Sequence, residues 1–358
     1  MRVSPAIASI VLIVGLAVGV LTVGCGRDAG SPVSTSSPAP ISGAVRPAEP
    51  ATAGLLSTPP AGRVVSIGSA PEGIVVGRSG VGAVAVRNPD GVVLFSAATG
   101  AVRRQISTTA AARHLSLAGP DGPVLVPLEG SNELLQVSLS QGRVVARTTG
   151  IGHQPHDAAR TADGTIVVTN ELGGGVVFVR DGEVIGSAPA GPVQPGGVAA
   201  VGKYAAVANV RGNGLWVYDA SAQQLVAHGP VGVKLTHVVG LSDDLVALAD
   251  TDGGAVLIER IDPQVSQVSK IEAPGNPYGL AYDARRARLY VTLTASNLMR
   301  VIDTTDATKP RIVADVPTVQ QPNSVAVDPS SGAVLITGSN PGGQDSLQIV
   351  SPDRLPPG

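Results

Sequence analysis

From Pro71 onward, short runs of apolar residues alternate with turns rich in Gly, Asn, Asp and Ser. Runs such as AVAV, IVVT and LYVTL are bounded by turn-forming residues, which is typical of strands joined in hairpins. No window keeps apolar residues at helical spacing over three turns, and the 45 glycines and 29 prolines would interrupt most helices. The pattern therefore predicts an all-β domain.

The pattern also repeats along the chain. Each repeat has an aligned start, a turn and further apolar runs, so it has room for four strands. Repeats of about 40 to 45 residues with four strands are typical of β-propeller blades, and seven blades lie within the usual range. The sequence predicts a seven-bladed β-propeller over residues 61–352, followed by a tail over 353–358. The seven starts are 40 to 45 residues apart, at Pro71, Ala112, Pro155, Pro195, Leu235, Pro277 and Pro322.

The two ends of the repeat region complement each other. The seventh unit stops after its third apolar run at Val350, whereas one unassigned run, GRVVSIG from Gly62 to Gly68, precedes the first unit. We predict that this N-terminal strand supplies the outermost strand of the seventh blade. The ring would then close without an exposed edge between its first and last blades.

Three phrases carry a resemblance to a known repeat family. PHDAARTADGTIVVTNE, PYGLAYDARRARLYVTLTASNLMRVIDTTD and PNSVAVDPSSGAVLITG resemble the YVTN-type propeller repeat, and the likeness extends over residues 62–350. The resemblance implies the propeller fold. It does not imply one function, because this repeat serves binding proteins, surface proteins and several enzymes.

The N-terminus has the order of a secretory signal. Arg2 precedes an apolar run from Ala6 to Val23, and LTVGCG follows. This resembles a bacterial lipoprotein signal, which implies removal of residues 1–24, lipidation of Cys25 and anchoring to the outer face of the cell membrane. An uncleaved membrane anchor is the alternative, since the apolar run approaches the length of a bilayer span.

Composition narrows the remaining choices. Residues 25–60 are rich in Pro, Ser, Ala and Gly without a hydrophobic period, which predicts a disordered tether. Cys25 is the single cysteine, so the chain can form no internal disulfide and no cysteine metal cluster. A net charge of −2 with 15% charged residues argues against nucleic-acid binding.

Polar residues recur directly after the aligned starts, where the first strand of each blade would line the central channel. Imidazoles and carboxylates converging at one mouth could bind a divalent metal or act as acid and base. The alternative is that strand mouths are solvated and simply favour polar residues. No cofactor is predicted. A divalent metal bound by His114, His156 and Asp157 is left open. The separation of His237 from His114 by three blades argues against a metal site, because the ligands of one ion must lie close together. The candidate residues at the mouth are Glu72, Arg113, His114, His156, Asp157 and His237.

A second polar layer is predicted at the ends of the second strands, where Asn170, Asn209 and Asp250 align. They are candidates for ligand contact. The alternative is that they organise turns, because Asn and Asp tolerate left-handed geometry and bond nearby backbone.

These patterns favour a non-enzymatic binding or scaffold module, expected to be a monomer, that presents its channel mouth and loops to an envelope protein, a peptide or a small molecule. No complete catalytic set is visible in the sequence. The alternative is a lactonase-like or other hydrolase, because some seven-bladed lactonases resemble this repeat, and Glu72, Arg113 and His156 could supply a base, an anion clamp and an electrophile.

Overall fold

A computed structural model describes residues 50–338 and 345–356. The predicted signal over residues 1–24, Cys25 and the first part of the predicted tether lie outside the described residues. Among the residues described, no helix is both long enough and apolar enough to span a bilayer.

The described residues form seven antiparallel sheets of four strands each, and the sheets are arranged as a β-propeller. The predicted seven-bladed fold is confirmed. Short 3-10 turns occur at Thr294–Ser296 and Pro352–Arg354. The strands are β1 (Arg63–Ser66); β2 (Ile74–Val76), β3 (Val81–Val86), β4 (Gly91–Ser96) and β5 (Val102–Ser107) in blade one; β6 (Ser116–Leu117), β7 (Val124–Leu128), β8 (Glu133–Ser138) and β9 (Arg143–Thr149) in blade two; β10 (Pro155–Arg160), β11 (Ile166–Asn170), β12 (Val176–Arg180) and β13 (Glu183–Ala188) in blade three; β14 (Pro195–Val201), β15 (Tyr204–Asn209), β16 (Gly214–Asp219) and β17 (Gln224–Pro230) in blade four; β18 (Leu235–Gly240), β19 (Leu245–Asp250), β20 (Ala255–Arg260) and β21 (Ser266–Glu272) in blade five; β22 (Pro277–Asp283), β23 (Arg288–Leu293), β24 (Leu298–Asp303) and β25 (Arg311–Pro317) in blade six; β26 (Pro322–Val327), β27 (Val334–Gly338) and β28 (Ser346–Val350) in blade seven.

The ring closes through its N-terminal strand, as the sequence predicts. β1 pairs antiparallel with β28, with Arg63 opposite Ile349 and Ser66 opposite Ser346. Blade seven therefore has the order β26, β27, β28, β1. Its outermost strand comes from the other end of the propeller sequence, which leaves no open edge at the junction.

The hydrophobic core lies between neighbouring blades. The second and third strands of a blade are buried almost throughout, as in β3 and β4, because both of their faces pack against other sheets. The outermost strands instead alternate between exposed and partly or fully buried positions, as in β9. This difference explains why the second and third strands stand out in the sequence as continuous apolar runs.

Most first strands begin with a bulge that determines where the candidate site residues point. In blade three, Pro155 lies opposite Asn170 and Ala158 opposite Val168, so two residues of β10 face a single residue of β11. The same irregularity occurs at the starts of β14, β18 and β22. Bulges re-aim side chains at strand ends. In each such blade, two residues of the first strand face a single residue of the second strand. We call these two residues, His156 and Asp157 in blade three, the bulge pair.

The chain contacts the propeller before the predicted domain boundary at residue 61. The backbone N–H of Ala53 donates to Oε1 of Gln321 at 3.4 Å, and Nδ2 of Asn297 donates to the carbonyl of Gly54 at 2.9 Å. The last part of the predicted tether therefore lies on blades six and seven, on the face where the first strands begin.

Candidate functional site

The seven first strands surround a central channel with a cavity of about 520 Å³. Most of the residues that line it have small or apolar side chains, such as Ala199, Val239 and Ala326. His114 and His237 border it near the starts of the first strands, and Arg160 lies near their ends. The channel is thus polar at the end where the bulge pairs lie.

Aromatic rings from four blades cross the channel at this polar end. Ring centroids lie 4.4 Å apart for His156 and His114, 4.6 Å for His114 and His237, and 4.5 Å for His237 and Tyr278. We call these four residues the histidine row. A cavity of about 10 Å³, close to the volume that one water molecule needs, lies among them.

The separation of His237 from His114 by three blades does not keep the two side chains apart. Nε2 of His237 lies 3.2 Å from Nδ1 of His114, a hydrogen-bonding distance. The expectation that they are too distant to cooperate is wrong, because the channel is narrow enough for rings from opposite blades to meet.

Burial keeps two members of the row neutral. It lowers the pKa of His114 well below its usual value, and the positive charge of His156 lowers it further. Burial, together with the charges of His156 and Arg113, lowers the pKa of His237 to about 3. One of these two imidazoles therefore donates its N–H to the other without carrying a charge.

His156 has the opposite character because two carboxylates flank it. Nδ1 of His156 lies 2.8 Å from Oε1 of Glu129 and 3.2 Å from Oε2 of Glu171, which we call the carboxylate pair. Burial alone lowers the pKa of His156, but the charges and hydrogen bonds of the pair outweigh it and raise the pKa to about 10. In the absence of other ligands, the imidazole is a cation between two anions.

Glu171 is fully buried, and a neighbouring amide donates to each oxygen of its carboxylate. Nε2 of Gln154 donates to Oε2 at 2.9 Å, and Nε2 of Gln194 donates to Oε1 at 3.2 Å. Burial raises the pKa of Glu171, but His156 and these amides outweigh it and lower the pKa. The carboxylate is therefore fixed in position and ionised.

Asp157 turns away from the carboxylate pair. Its Oδ1 accepts from the N–H of Ala158 at 2.8 Å, and its Oδ2 accepts from the N–H of Val198 in blade four at 2.9 Å. Burial raises the pKa of Asp157 to about 6. The carboxylate joins two blades, so the set of His114, His156 and Asp157 does not converge on one point as a metal site would require.

Glu72 and Arg113 form an ion-pair group beside the row. Nη2 of Arg113 lies 3.6 Å from Oε1 of Glu72, and Arg87 bonds the other oxygen of the same carboxylate. Arg113 is buried, so its charge depends on Glu72 for compensation. The predicted anion clamp is thus occupied by a carboxylate of the chain itself.

Asn170, Asn209 and Asp250 organise loops. Each buried side chain accepts hydrogen bonds from backbone N–H groups in the neighbouring loops, which is the turn-forming alternative that the sequence left open. The donors are His153 to Asn170; Gln194 and Gly212 to Asn209; and Val233, Lys234 and Gly253 to Asp250.

The carboxylate pair was missed at the sequence level, although a signal for it exists. Glu129 and Glu171 each follow the last residue of a second strand, and they are separated by 42 residues, the length of one blade. Arg87 holds the same place in blade one, another 42 residues earlier. The residues that directly follow the second strands of blades one to three are all charged, and their 42-residue spacing is the signal for this layer.

Among the residues described, one group has the spacing of a metal-binding set. The ligand atoms of Glu129, His156 and Glu171 all lie within 4.8 Å of one another. Imidazole and carboxylate groups in such an arrangement can share a proton or coordinate a divalent cation.

Comparison with known proteins supports the fold and goes no further. No protein-family model matches the sequence, and no curated protein matches it. A chain from the mitotic checkpoint complex has a TM-score of 0.69 at 15% identity, over 85% of this chain and 98% of that one. Hydrazine synthase of Kuenenia stuttgartiensis has a TM-score of 0.64 at 16% identity, over 80% and 96%. Virginiamycin B lyase from Staphylococcus aureus has a TM-score of 0.66 at 12% identity, over 80% and 98%. At identities this low, the likeness shows a shared propeller fold alone.

Proposed function

We propose that this chain is an exported YVTN-type lipoprotein whose propeller is a non-enzymatic binding module. Its ligand, a small molecule or the end of a peptide, enters the central channel and contacts the histidine row. The observation that carries the proposal is the cavity of about 520 Å³ that is bordered by neutral imidazoles at one end.

The size and lining of the cavity support this role. Ligand pockets commonly measure about 300 to 1,000 Å³ and combine an apolar wall with a few fixed polar groups. Here the wall is built from seven first strands, and His114 and His237 supply the polar groups. His237 lies on β18, and His114 lies two residues before β6. A strand holds such a group more accurately than a loop does.

The ligand-binding role is tested by filling the channel. Ala200 lines the cavity and is partly buried, so Ala200→Phe would occupy ligand space. Val145, which is 41% exposed on an outer strand, gives the matched control Val145→Phe. Lactones, sugars and short peptides would be screened by thermal shift. We expect at least one class to raise the Tm of the wild type and of Val145→Phe but not of Ala200→Phe. Equal shifts in all three proteins would contradict the proposal.

Anchoring through Cys25 is a separate part of the proposal, and the signal-like order of residues 1–24 supports it. Cells producing the wild-type chain should incorporate labelled palmitate into it, and Cys25→Ser should abolish both the label and membrane fractionation. Unchanged labelling of Cys25→Ser would overturn lipid anchoring.

A second candidate function is an enzyme, either a hydrolase or a lyase. The favouring observation is His156 between the carboxylate pair, because a positioned imidazole and carboxylates can transfer protons. Virginiamycin B lyase is among the proteins of similar fold. Turnover of a lactone or ester by the purified chain, lost in His156→Ala and kept in His228→Ala, would favour this candidate over the binding module.

A further inference from the structure

We propose that Glu129, His156 and Glu171 form a binding site for one divalent transition-metal ion. The site lies beside the channel and is independent of which ligand the channel takes. It differs from the set of His114, His156 and Asp157 that the sequence suggested.

The spacing of the donor atoms fits one ion. Ligands held at about 2.1 Å from a metal in octahedral or tetrahedral geometry lie about 3.0 to 3.4 Å from each other. Nδ1 of His156 lies 2.8 Å from Oε1 of Glu129 and 3.2 Å from Oε2 of Glu171. The ligand atoms of the three residues all lie within 4.8 Å of one another, so a single ion could contact them after the two carboxylates move closer together.

The hydrogen-bond pattern also fits an ion at this point. Nδ1 of His156 faces two carboxylates at once, although it carries at most one hydrogen whether the ring is neutral or charged. A metal ion would displace that proton and contact all three groups, and it would compensate the charges of both carboxylates.

A supporting shell orients the most buried ligand. Gln154 and Gln194 each donate to a different oxygen of Glu171, and the backbone N–H of Glu171 donates to the carbonyl of Gln154 at 3.1 Å. Metal-binding carboxylates are commonly held by such hydrogen bonds. The two glutamines occupy equivalent positions in successive blades, since each directly precedes a first strand.

An ion could reach the site from the face where the first strands begin. The side chain of Glu129 is 20% exposed, whereas that of Glu171 is 1% exposed. The site therefore has one ligand at the surface and two inside, which provides an entry path and leaves a coordination position toward solvent.

The donor types indicate the class of ion. One imidazole nitrogen with two carboxylates suits Zn²⁺, Mn²⁺ or Fe²⁺. Ca²⁺ takes six to eight oxygen ligands, and Mg²⁺ retains most of its water. We therefore expect selectivity for transition metals over both of these ions.

Calorimetric titration of Zn²⁺ into the purified full-length chain, after treatment with a chelator, tests the site. We expect one ion per chain in the wild type, competition by Mn²⁺, and little competition by Ca²⁺. Glu171→Gln, Glu129→Gln and His156→Gln should each weaken binding at least tenfold. Of the three variants, Glu129→Gln should disturb folding least, because the side chain of Glu129 is partly at the surface.

Two controls separate the site from adventitious binding. Glu133→Gln removes a carboxylate that pairs with Arg147 at the start of β8, and His228→Gln removes an imidazole that stacks on Trp216 in an outer strand. Both variants should bind Zn²⁺ as the wild type does. The proposal is overturned if the wild type binds no ion below millimolar concentration, or if Glu129→Gln retains full affinity. Loss of binding in His228→Gln instead would assign the ion to the outer surface.

Discussion

Blade three and blade four have the same backbone but different chemistry. Both first strands begin at a proline, and in both the bulge pair opposes a single residue of the second strand. The loop-organising asparagines, Asn170 and Asn209, occupy equivalent places at the ends of β11 and β15. Blades three and four therefore do not differ in their strand pairing.

Three ionisable side chains of blade three have no counterpart in blade four. Blade three has His156 and Asp157 as its bulge pair and Glu171 after its second strand, where blade four has Gly196, Gly197 and Val210. Blade four pairs its strands without any of these polar groups. The comparison teaches that His156 and Glu171 are not a requirement of the blade, which leaves site chemistry as their reason. Asp157 instead joins blade three to blade four.

Glycine in blade four has a packing role of its own. A Cβ atom at Gly197 would lie 2.9 Å from the carbonyl oxygen of Thr236 and 3.1 Å from Cα of His237. Blades four and five thus approach each other closely. In blade three, Asp157 bridges to blade four with its carboxylate instead.

The largest effect is expected from removing the charged imidazole of His156 from between the two carboxylates. In metal-free buffer, His156→Leu leaves Glu129 and the buried Glu171 facing each other without compensation. We expect a loss of about 3 to 5 kcal/mol in the free energy of unfolding, measured with denaturant. A loss below 1 kcal/mol would mean that the carboxylates relax or take up protons at little cost.

Substituting the second bulge residue of either blade should cost less. Gly197→Ala should destabilise the chain by about 1 to 3 kcal/mol because its Cβ meets backbone of blade five. Asp157→Gly should cost about 1 to 3 kcal/mol because the N–H groups of Ala158 and Val198 lose their acceptor. If either substitution leaves the free energy of unfolding unchanged, measured with denaturant, that blade does not depend on the residue for its packing or hydrogen bonding.

The pH dependence of stability should distinguish two members of the histidine row. The pKa of His156 rises from 6.5 to about 10 on folding, so its contribution to stability is complete below about pH 6.5 and is lost as the pH rises toward 10. The pKa of His237 falls from 6.5 to about 3, so its contribution is present above about pH 6.5 and is lost as the pH falls toward 3.

Unfolding of the metal-free protein across this pH range provides the measurement. Above about pH 6.5, the free energy of unfolding of the wild type should fall with pH by up to about 1.4 kcal/mol per pH unit because of His156, and His156→Gln should remove this alkaline slope. His237→Gln should change the acid slope and leave the alkaline one. Identical slopes in both variants would contradict the opposite charge states assigned to the two imidazoles.

The smallest effect is expected at the residue facing the bulge pair. The N–H of Asp157 donates to Oγ1 of Thr169 at 2.9 Å, whereas blade four has Ala208 at the equivalent place. Thr169→Ala should cost about 0.5 to 1.5 kcal/mol. The same substitution at Thr292, which accepts from the N–H of Gly279 at 2.8 Å, should cost a similar amount.

The fold could be predicted because its signals are local and repeated. Apolar runs, turns and the spacing of the starts specify the blades, and the stray strand before Pro71 predicts its pairing with β28. The candidate site was predicted only in part. His114, His156 and His237 do meet, but their separation along the ring gave no indication of it, since it depends on how narrow the channel is.

The carboxylate pair escaped prediction for a different reason. Glu129 and Glu171 lie one residue beyond the second strands, where Asn170 and Asp250 already suggested ordinary turns. Their convergence on Nδ1 of His156 depends on the bulge, which no local sequence pattern marks. Charge alignment across blades was the available signal.

The most direct test of the central claim, that the polar set around His156 serves a site and not the blade, is the unfolding free energy of the triple variant E129V/H156L/E171V. We predict a value above that of His156→Leu alone, because removing all three charged groups leaves no uncompensated charge. The value should lie about 1 to 3 kcal/mol below that of the metal-free wild type, because the amides of Gln154 and Gln194 lose their acceptor. A triple variant as unstable as His156→Leu, or less stable, would contradict the claim and make the set a structural element of blade three.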